Sequence, residues 1–122
     1  MVSKRRILIV DDEPQVRKYL NSVLAEADYE VLEANDGRSA LELLAVTSVD
    51  VMITDLVMPE QEGLETIRIL RRDYPNVKII ALSGAFEGKM LHAAKLLGAS
   101  TALQKPVSPD TITEAVRKLL AS

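Results

Sequence analysis

The chain has 122 residues and a mass of 13.4 kDa, the size of one domain that can bury its own hydrophobic core. It has no cysteine and one histidine, which excludes a disulfide framework, a zinc site built on thiolates and a cysteine nucleophile. The net charge of −3 gives no basic footprint for nucleic acid, and no apolar run is long enough to span a membrane. The sequence therefore predicts one cytoplasmic domain over residues 1–122, with a core at about 5–120, and neither nucleic-acid nor membrane binding.

Short apolar runs alternate with segments of helical periodicity along the chain. Hydrophobic residues make up 48% of the sequence but aromatic residues only 3%, so the core must be aliphatic. Aliphatic runs of this kind are typical of parallel strands that helices cover on both faces. The predicted strands are Ile7–Val10, Glu30–Ala34, Val51–Thr54, Lys78–Leu82 and Thr101–Leu103.

Helix boundary signals fall between these strands. Pro14 lies in a predicted first helical turn, and Asp36 lies in a turn-and-cap sequence before the second helix. Ser108 and Pro109 form a start signal for the fifth helix, and Gly98 lies where the fourth helix should end. The apolar set that marks the fourth helix is Met90, Leu91, Ala94, Leu96 and Leu97. The alternation predicts an α/β fold with a doubly wound, five-stranded parallel sheet and right-handed crossovers.

Polar side chains follow four of the five predicted strands, at the points where those strands end. Ligands bind at the carboxyl ends of parallel strands, so we expect these side chains to meet at one edge of the sheet. They are Asp11, Asp12 and Glu13 after the first strand, Asp55 after the third, Ser83 and Gly84 after the fourth, and Lys105 after the fifth. No other polar set in the sequence is expected to converge in this way.

Carboxylates at such an edge need an offsetting positive charge, because two of them about 4 Å apart repel by about 4 kcal/mol at an effective dielectric constant of roughly 20. Ligands that are all oxygens select a hard cation, and a site with few protein ligands that keeps water favours Mg²⁺ over Ca²⁺. A carboxylate is also a nucleophile towards phosphorus and can form an aspartyl phosphate. The cation, Lys105, Ser83 and the Gly84 N–H would then contact the phosphoryl oxygens.

These residues lie in recognisable motifs, which are Ile-Leu-Ile-Val-Asp-Asp-Glu-Pro at 7–14, Asp-Leu-Val-Met-Pro at 55–59 with a glycine at 63, Leu-Ser-Gly at 82–84, Leu-Gly-Ala at 97–99 and Lys-Pro at 105–106. The sequence resembles the receiver domain of bacterial two-component response regulators over almost its whole length, from about Arg5 to Leu120. The resemblance implies a flavodoxin-like fold with strand order 2-1-3-4-5 and five flanking helices. It also implies a phosphorylation-activated signalling switch rather than an enzyme that acts on an external metabolite.

The resemblance also implies roles for individual residues. Asp55 would accept the phosphoryl group, while Ser83, Lys105 and the Gly84 N–H would contact it. The implied Mg²⁺ ligands are Asp12 and Asp55 directly, Asp11 mostly through water, and the Val57 carbonyl. The bond between Lys105 and Pro106 is expected to be cis.

The implied phosphodonor is a histidine kinase or a histidine phosphotransfer protein, and the implied output is contact between a downstream protein and the face formed by helix 4, strand 5 and helix 5. The sequence departs from the family at Ala102, where the fifth strand usually carries tyrosine or phenylalanine. In the family that ring turns inward when the domain is phosphorylated, and alanine has no ring to turn. We therefore expect Ser83 and the loop after it to respond more strongly than the fifth strand.

Three other functions use a similar sheet edge. A Mg²⁺-dependent phosphohydrolase with an aspartate nucleophile usually needs an Asp-x-Asp pair and a cap domain, and the acids after the first strand are adjacent instead. A flavodoxin-like cofactor binder needs a hydroxyl-rich phosphate loop and aromatic residues that stack on a flavin. A receiver that is never phosphorylated would be expected to have lost members of its acidic set, which is intact here.

Overall fold

A computed structural model of the chain describes residues 4–56, 62–84 and 88–121. Strands and helices alternate strictly across these residues. Their bounds are β1 (Arg6–Val10), α1 (Pro14–Glu26), β2 (Glu30–Ala34), α2 (Gly37–Leu44), β3 (Val51–Asp55), α3 (Glu62–Asp73), β4 (Lys78–Ser83), α4 (Gly88–Leu97), β5 (Thr101–Gln104) and α5 (Pro109–Ala121). All the strand pairs are parallel and the order is β2-β1-β3-β4-β5, which confirms the predicted α/β fold and the implied strand order.

Three strands end one residue later than their apolar runs predicted, and β1 begins one residue earlier, at Arg6 rather than at Ile7. Strand β3 ends at Asp55 rather than at Thr54, and β4 ends at Ser83. Strand β5 ends at Gln104, which is in register with Ser83. The predicted ends were wrong because hydrophobicity reports burial of a side chain, whereas the ladder of main-chain hydrogen bonds continues through polar residues.

Two apolar layers cover the sheet, one on each face. On β1, Leu8 and Val10 pack in the cluster that includes residues of α2, α3 and α4. The alternate residues Ile7 and Ile9 pack on the other face with residues of α1 and α5, such as Leu20. These side chains are 0–1% exposed, and full burial of one such side chain contributes about 1.5–3 kcal/mol. The two layers hold the strands rigidly and so fix the edge where the strands end.

The helix boundaries follow the predicted signals. The Asp36 side chain accepts a hydrogen bond from the Ser39 N–H at 2.7 Å and caps α2. The Ser108 hydroxyl accepts one from the Thr111 N–H at 3.1 Å at the start of α5. Gly98 follows α4 with φ of 121°, a conformation that favours glycine. None of the described helices is long and apolar enough to cross a membrane.

The apolar face predicted for α4 was wrong at Leu96, and the side chains of Met90 and Leu91 lie outside the described part of the chain. Ala94 is fully buried, but Leu96 is 75% exposed. Residues two apart in an α-helix lie on nearly opposite sides of it, so these two side chains do not share one face. Leu96 is therefore an apolar side chain on the surface of the domain.

Candidate functional site

Lys105 joins two buried carboxylates at the carboxyl edge of the sheet. Its Nζ lies 3.0 Å from Asp55 Oδ2 and 3.1 Å from Asp11 Oδ2. The side chains of Asp11 and Asp55 are 1% and 4% exposed, whereas that of Lys105 is 21% exposed. The three residues come from the ends of β1, β3 and β5, which are far apart in sequence. One ammonium thus offsets the repulsion between two carboxylates, which the low local dielectric constant would otherwise make large.

This arrangement shifts the pKa values of Asp11 and Lys105. Burial raises the pKa of Asp11, and the Glu13 N–H and Lys105 offset this only in part. Burial alone would lower the pKa of Lys105, but hydrogen bonds and charge interactions with Asp55 and Asp11 outweigh it and raise that pKa. Lys105 therefore stays charged at neutral pH, and one ammonium faces two carboxyl groups.

Four acidic side chains surround one small volume at this edge. One carboxylate oxygen from each of Asp11, Asp12, Glu13 and Asp55 lies within 4.8 Å of the others. Asp12 and Glu13 are exposed, so the volume is open to water. An oxygen-only set of donors with water on one side suits a hard cation such as Mg²⁺. The family resemblance implies the Val57 carbonyl as a further Mg²⁺ ligand, and Val57 lies outside the described residues.

Main-chain hydrogen bonds join the end of β4 to its neighbours at this edge of the sheet. Ser83 is fully buried, and its carbonyl accepts a hydrogen bond from the Lys105 N–H at 2.6 Å. The Leu82 carbonyl accepts one from the Leu56 N–H at 2.9 Å, so the residue after Asp55 is also tied to β4. Gly84 follows Ser83 and is half-buried. Asp55, Ser83 and Lys105 therefore lie at the ends of three adjacent strands that main-chain hydrogen bonds hold together.

Comparison with known proteins identifies the family. Residues 7–117 match the response regulator receiver domain. The chain belongs to the response regulator receiver domain family. It is 35% identical to the chemotaxis protein CheY of Thermotoga maritima over 94% of this chain and 97% of that protein. It is 32% identical to the sporulation initiation phosphotransferase F of Bacillus subtilis, over 94% of this chain and 93% of that protein.

Solved structures agree with this assignment. A receiver domain protein from Clostridium thermocellum superposes with a TM-score of 0.90 at 28% identity, over 96% of this chain and 94% of that chain. Receiver domains take phosphoryl groups from histidine kinases or phosphotransfer proteins, and this receiver domain is a phosphorylation-activated signalling switch of a two-component system. The relatives give no support for the hydrolase or cofactor-binding alternatives.

The glycine at 63, in the second motif of the receiver domain, has a steric reason. Gly63 lies in the first turn of α3, directly against the end of β3. A Cβ at this position would lie 2.6 Å from the Asp55 carbonyl oxygen and 2.7 Å from the Leu56 Cα. Both are main-chain atoms that cannot move aside without moving the strand end. Glycine is therefore needed for α3 to start next to Asp55.

Two residues of the receiver domain lie at the site although the motifs did not identify them as ligands or supports. Glu13 belongs to the acidic set, and its place directly after two aspartates was the available signal. Arg17, one turn into α1, donates a hydrogen bond to the Asp11 carbonyl at 2.6 Å. No local pattern in the sequence indicates that contact, because it depends on how α1 packs on the sheet. The bond between Lys105 and Pro106 is cis, as the resemblance implied.

Proposed function

We propose that Asp55 is the phosphoacceptor of this receiver domain and that Mg²⁺ is held beside it by Asp11, Asp12 and Asp55, with the Val57 carbonyl as a further ligand. The observation that carries this proposal is the pair of hydrogen bonds from Lys105 to Asp11 and Asp55 at the edge of the sheet. Mg²⁺, when bound, supplies positive charge that neutralises oxygens of the transferred group.

The transfer needs one new bond at Asp55. A carboxylate oxygen of Asp55 forms a bond to phosphorus while the P–N bond of a phosphohistidine breaks, and the imidazole nitrogen keeps the electron pair. The negative charge of the phosphoryl group then stands where Lys105 already donates. The Lys105 ammonium, the Ser83 hydroxyl and the Gly84 N–H are the donors for the three phosphoryl oxygens that are not shared with Asp55.

The donor protein reaches the site from the open side of the sheet edge. Beside Lys105 lies an apolar cavity of about 310 Å³ between α1 and the segment after β5. Its lining residues are Val16, Tyr19, Leu20, Leu82, Lys105, Pro106 and Val107. The Tyr19 hydroxyl donates to the Val107 carbonyl at 2.9 Å and holds the two walls together. An apolar contact there, next to the acceptor, supports docking of a protein donor, and membership of the receiver domain family supports a histidine kinase or a histidine phosphotransfer protein in that role.

The output is contact with a downstream protein through the face formed by α4, β5 and α5. Leu96 places a largely exposed apolar side chain on α4. Ala102 on β5 is partly buried and packs against the cluster that contains Ala81 and Ala94, so small side chains separate β5 from α4. Since Ala102 offers no ring, the phosphoryl group acts on this face through Ser83 and the segment between β4 and α4.

Intact-mass measurement tests the proposed chemistry. The purified protein is incubated with acetyl phosphate and Mg²⁺, and we expect it to gain the mass of one phosphoryl group. Asp55→Asn under the same conditions should gain none, and chelation of Mg²⁺ should suppress labelling of the native protein. No mass gain in the native protein would indicate a receiver that is never phosphorylated. Undiminished labelling of Asp55→Asn would exclude Asp55 as the principal acceptor.

A further inference from the structure

Arg17 connects three elements beside the acidic set. From α1 its Nη1 donates to the Asp11 carbonyl, after β1, at 2.6 Å. Its Nε donates to Glu33 Oε1, on β2, at 3.2 Å, and Asn21 donates to Glu33 Oε2 at 2.7 Å. The Arg17 side chain is 18% exposed, so the guanidinium is largely enclosed by these partners. Glu33 thus orients Arg17 and offsets its charge, while Arg17 donates a hydrogen bond to the main-chain carbonyl oxygen of Asp11.

The Asp11 carbonyl oxygen, which accepts the hydrogen bond from Arg17, belongs to the peptide unit that joins Asp11 to Asp12. The other polar atoms of Asp11 are also engaged: its N–H donates to the Ala34 carbonyl at 3.2 Å, Oδ1 accepts from the Glu13 N–H at 2.9 Å, and Oδ2 accepts from Lys105. Since a peptide unit is planar, the direction of the Asp11 carbonyl couples ψ of Asp11 to φ of Asp12. A change in ψ of Asp11 that φ of Asp12 does not compensate would redirect the chain after Asp11 and move the Asp12 carboxylate relative to those of Asp11 and Asp55.

We propose that Arg17 is a positioning residue for Mg²⁺, which fixes the peptide plane between Asp11 and Asp12 so that both carboxylates face the volume shared with Asp55. This inference rests on the Mg²⁺ site proposed above. Hydrogen bonds from a guanidinium are among the stronger ones in proteins, and groups that orient metal ligands from behind influence metal affinity. Arg17 itself does not touch the phosphoryl group or the cation.

Positioning and simple charge repulsion predict opposite effects. A positive charge near a cation site weakens cation binding, so if Arg17 acted through its charge alone, Arg17→Ala would bind Mg²⁺ more tightly. If Arg17 positions the ligands, Arg17→Ala binds more weakly. Arg17→Lys distinguishes the two explanations further. Lysine keeps the positive charge but lacks the planar guanidinium group that donates to both Glu33 and the Asp11 carbonyl. Positioning predicts weaker binding for lysine as well, whereas charge alone predicts no change.

The test is a Mg²⁺ titration of the native protein and the variants, followed by amide chemical shifts at a temperature where each is fully folded. We expect the Kd for Mg²⁺ to rise by about tenfold in Arg17→Ala and by a smaller factor in Arg17→Lys, in line with the effects of groups that orient metal ligands. Labelling of Asp55 by acetyl phosphate should recover when the Mg²⁺ concentration is raised by the same factor. Recovery of this kind distinguishes a change in ligand position from loss of the fold.

Arg6→Ala is the matched control. Arg6 pairs with Glu30, and its Nη1 lies 3.5 Å from the Ser48 carbonyl, so it also joins a carboxylate to a main-chain oxygen, but at the opposite edge of the sheet. Its Mg²⁺ affinity should be unchanged. An unchanged or tighter Kd in Arg17→Ala, or an equal loss in Arg6→Ala, overturns the inference about Arg17. Absence of Mg²⁺ binding in the native protein overturns the proposed function and, with it, this inference.

Discussion

At the scale of single residues, the charge balance at Asp11 decides how the site behaves without metal. Burial raises the pKa of Asp11, so the folded protein binds a proton there more tightly than the unfolded chain does. Protonated Asp11 therefore contributes to the free energy of unfolding at low pH. This contribution is lost as the pH rises through the raised pKa. At neutral pH the Asp11 carboxylate therefore lowers the stability of the metal-free protein, as functional groups often do.

Asp11→Asn should stabilise the metal-free protein. We expect the free energy of unfolding at pH 7 to rise by about 1 kcal/mol, because the variant buries a neutral amide in place of a charge. The gain over the native protein should shrink as the pH falls through the raised pKa and be lost below about 3.8, the ordinary value, where Asp11 is protonated in both states. Thermal unfolding of both proteins in the presence of a chelator, across this pH range, measures the difference in stability. A lower melting temperature for Asp11→Asn at pH 7 would be evidence against this balance.

Gly63→Ala should damage both stability and labelling. The added Cβ would press on the main chain at Asp55 and Leu56, and overpacking of this kind costs about 1–3 kcal/mol. Gly98→Ala is the control, since its Cβ would clash with the Arg71 side chain at the far end of α4. Both variants should unfold at lower denaturant concentration, but only Gly63→Ala should also label more slowly with acetyl phosphate. Equal labelling rates would contradict a special role for the close approach at Asp55.

At the scale of elements, the fold could be predicted almost completely, but the contacts that hold the site could not. Aliphatic runs located all five strands to within one residue at each end, and apolar periodicity with cap residues predicted a helix after each strand, because burial and capping leave local patterns. They ended β3 and β4 before Asp55 and Ser83, since functional polar residues interrupt the hydrophobic signal. The hydrogen bond from Arg17 to Asp11 leaves no local pattern, because it depends on the packing of α1 across β1 and β2.

The cap of α2 gives a prediction at this scale. The hydrogen bond from the Ser39 N–H lowers the pKa of Asp36, so its stabilising effect is present above its ordinary pKa of 3.8 and is lost as the pH falls through the lowered value. Asp36→Ala should cost about 1 kcal/mol at pH 7, the usual effect of losing an N-cap. Asp36→Asn keeps an acceptor and should remain close to the native protein at pH 7. Urea unfolding of the three proteins measures this, and equal stability of Asp36→Ala and the native protein would exclude the cap as a significant contributor.

At the scale of the whole molecule, the two edges of the sheet differ in charge. At the amino edge, basic and acidic side chains pair across the surface, as Arg5 does with Asp50 and Lys4 does with Asp28. Exposed pairs of this kind contribute little to stability. At the carboxyl edge, Lys105 faces an acidic set of four side chains. A divalent cation is therefore expected to bind at the carboxyl edge and to stabilise the domain there.

Mg²⁺ should raise the melting temperature of the native protein. A ligand that binds only the folded state adds about 2.7 kcal/mol when its concentration is about one hundred times its Kd. The variant Asp12→Asn should show a much smaller rise, because it lacks one proposed ligand. Calorimetry with and without Mg²⁺ measures the difference between the two proteins. An equal rise in both would mean that Mg²⁺ stabilises the domain from somewhere other than this edge.

The most direct test of the proposed chemistry is to locate the phosphoryl group within the chain. After labelling with acetyl phosphate and Mg²⁺, reduction with borohydride converts a phosphorylated aspartate into homoserine, and peptide mass spectrometry then identifies the position. We expect homoserine at residue 55 and unmodified aspartate at 11 and 12. Homoserine at 11 or 12, or its absence from 55 in a protein that has gained a phosphoryl group, would contradict the assignment of Asp55 as the acceptor.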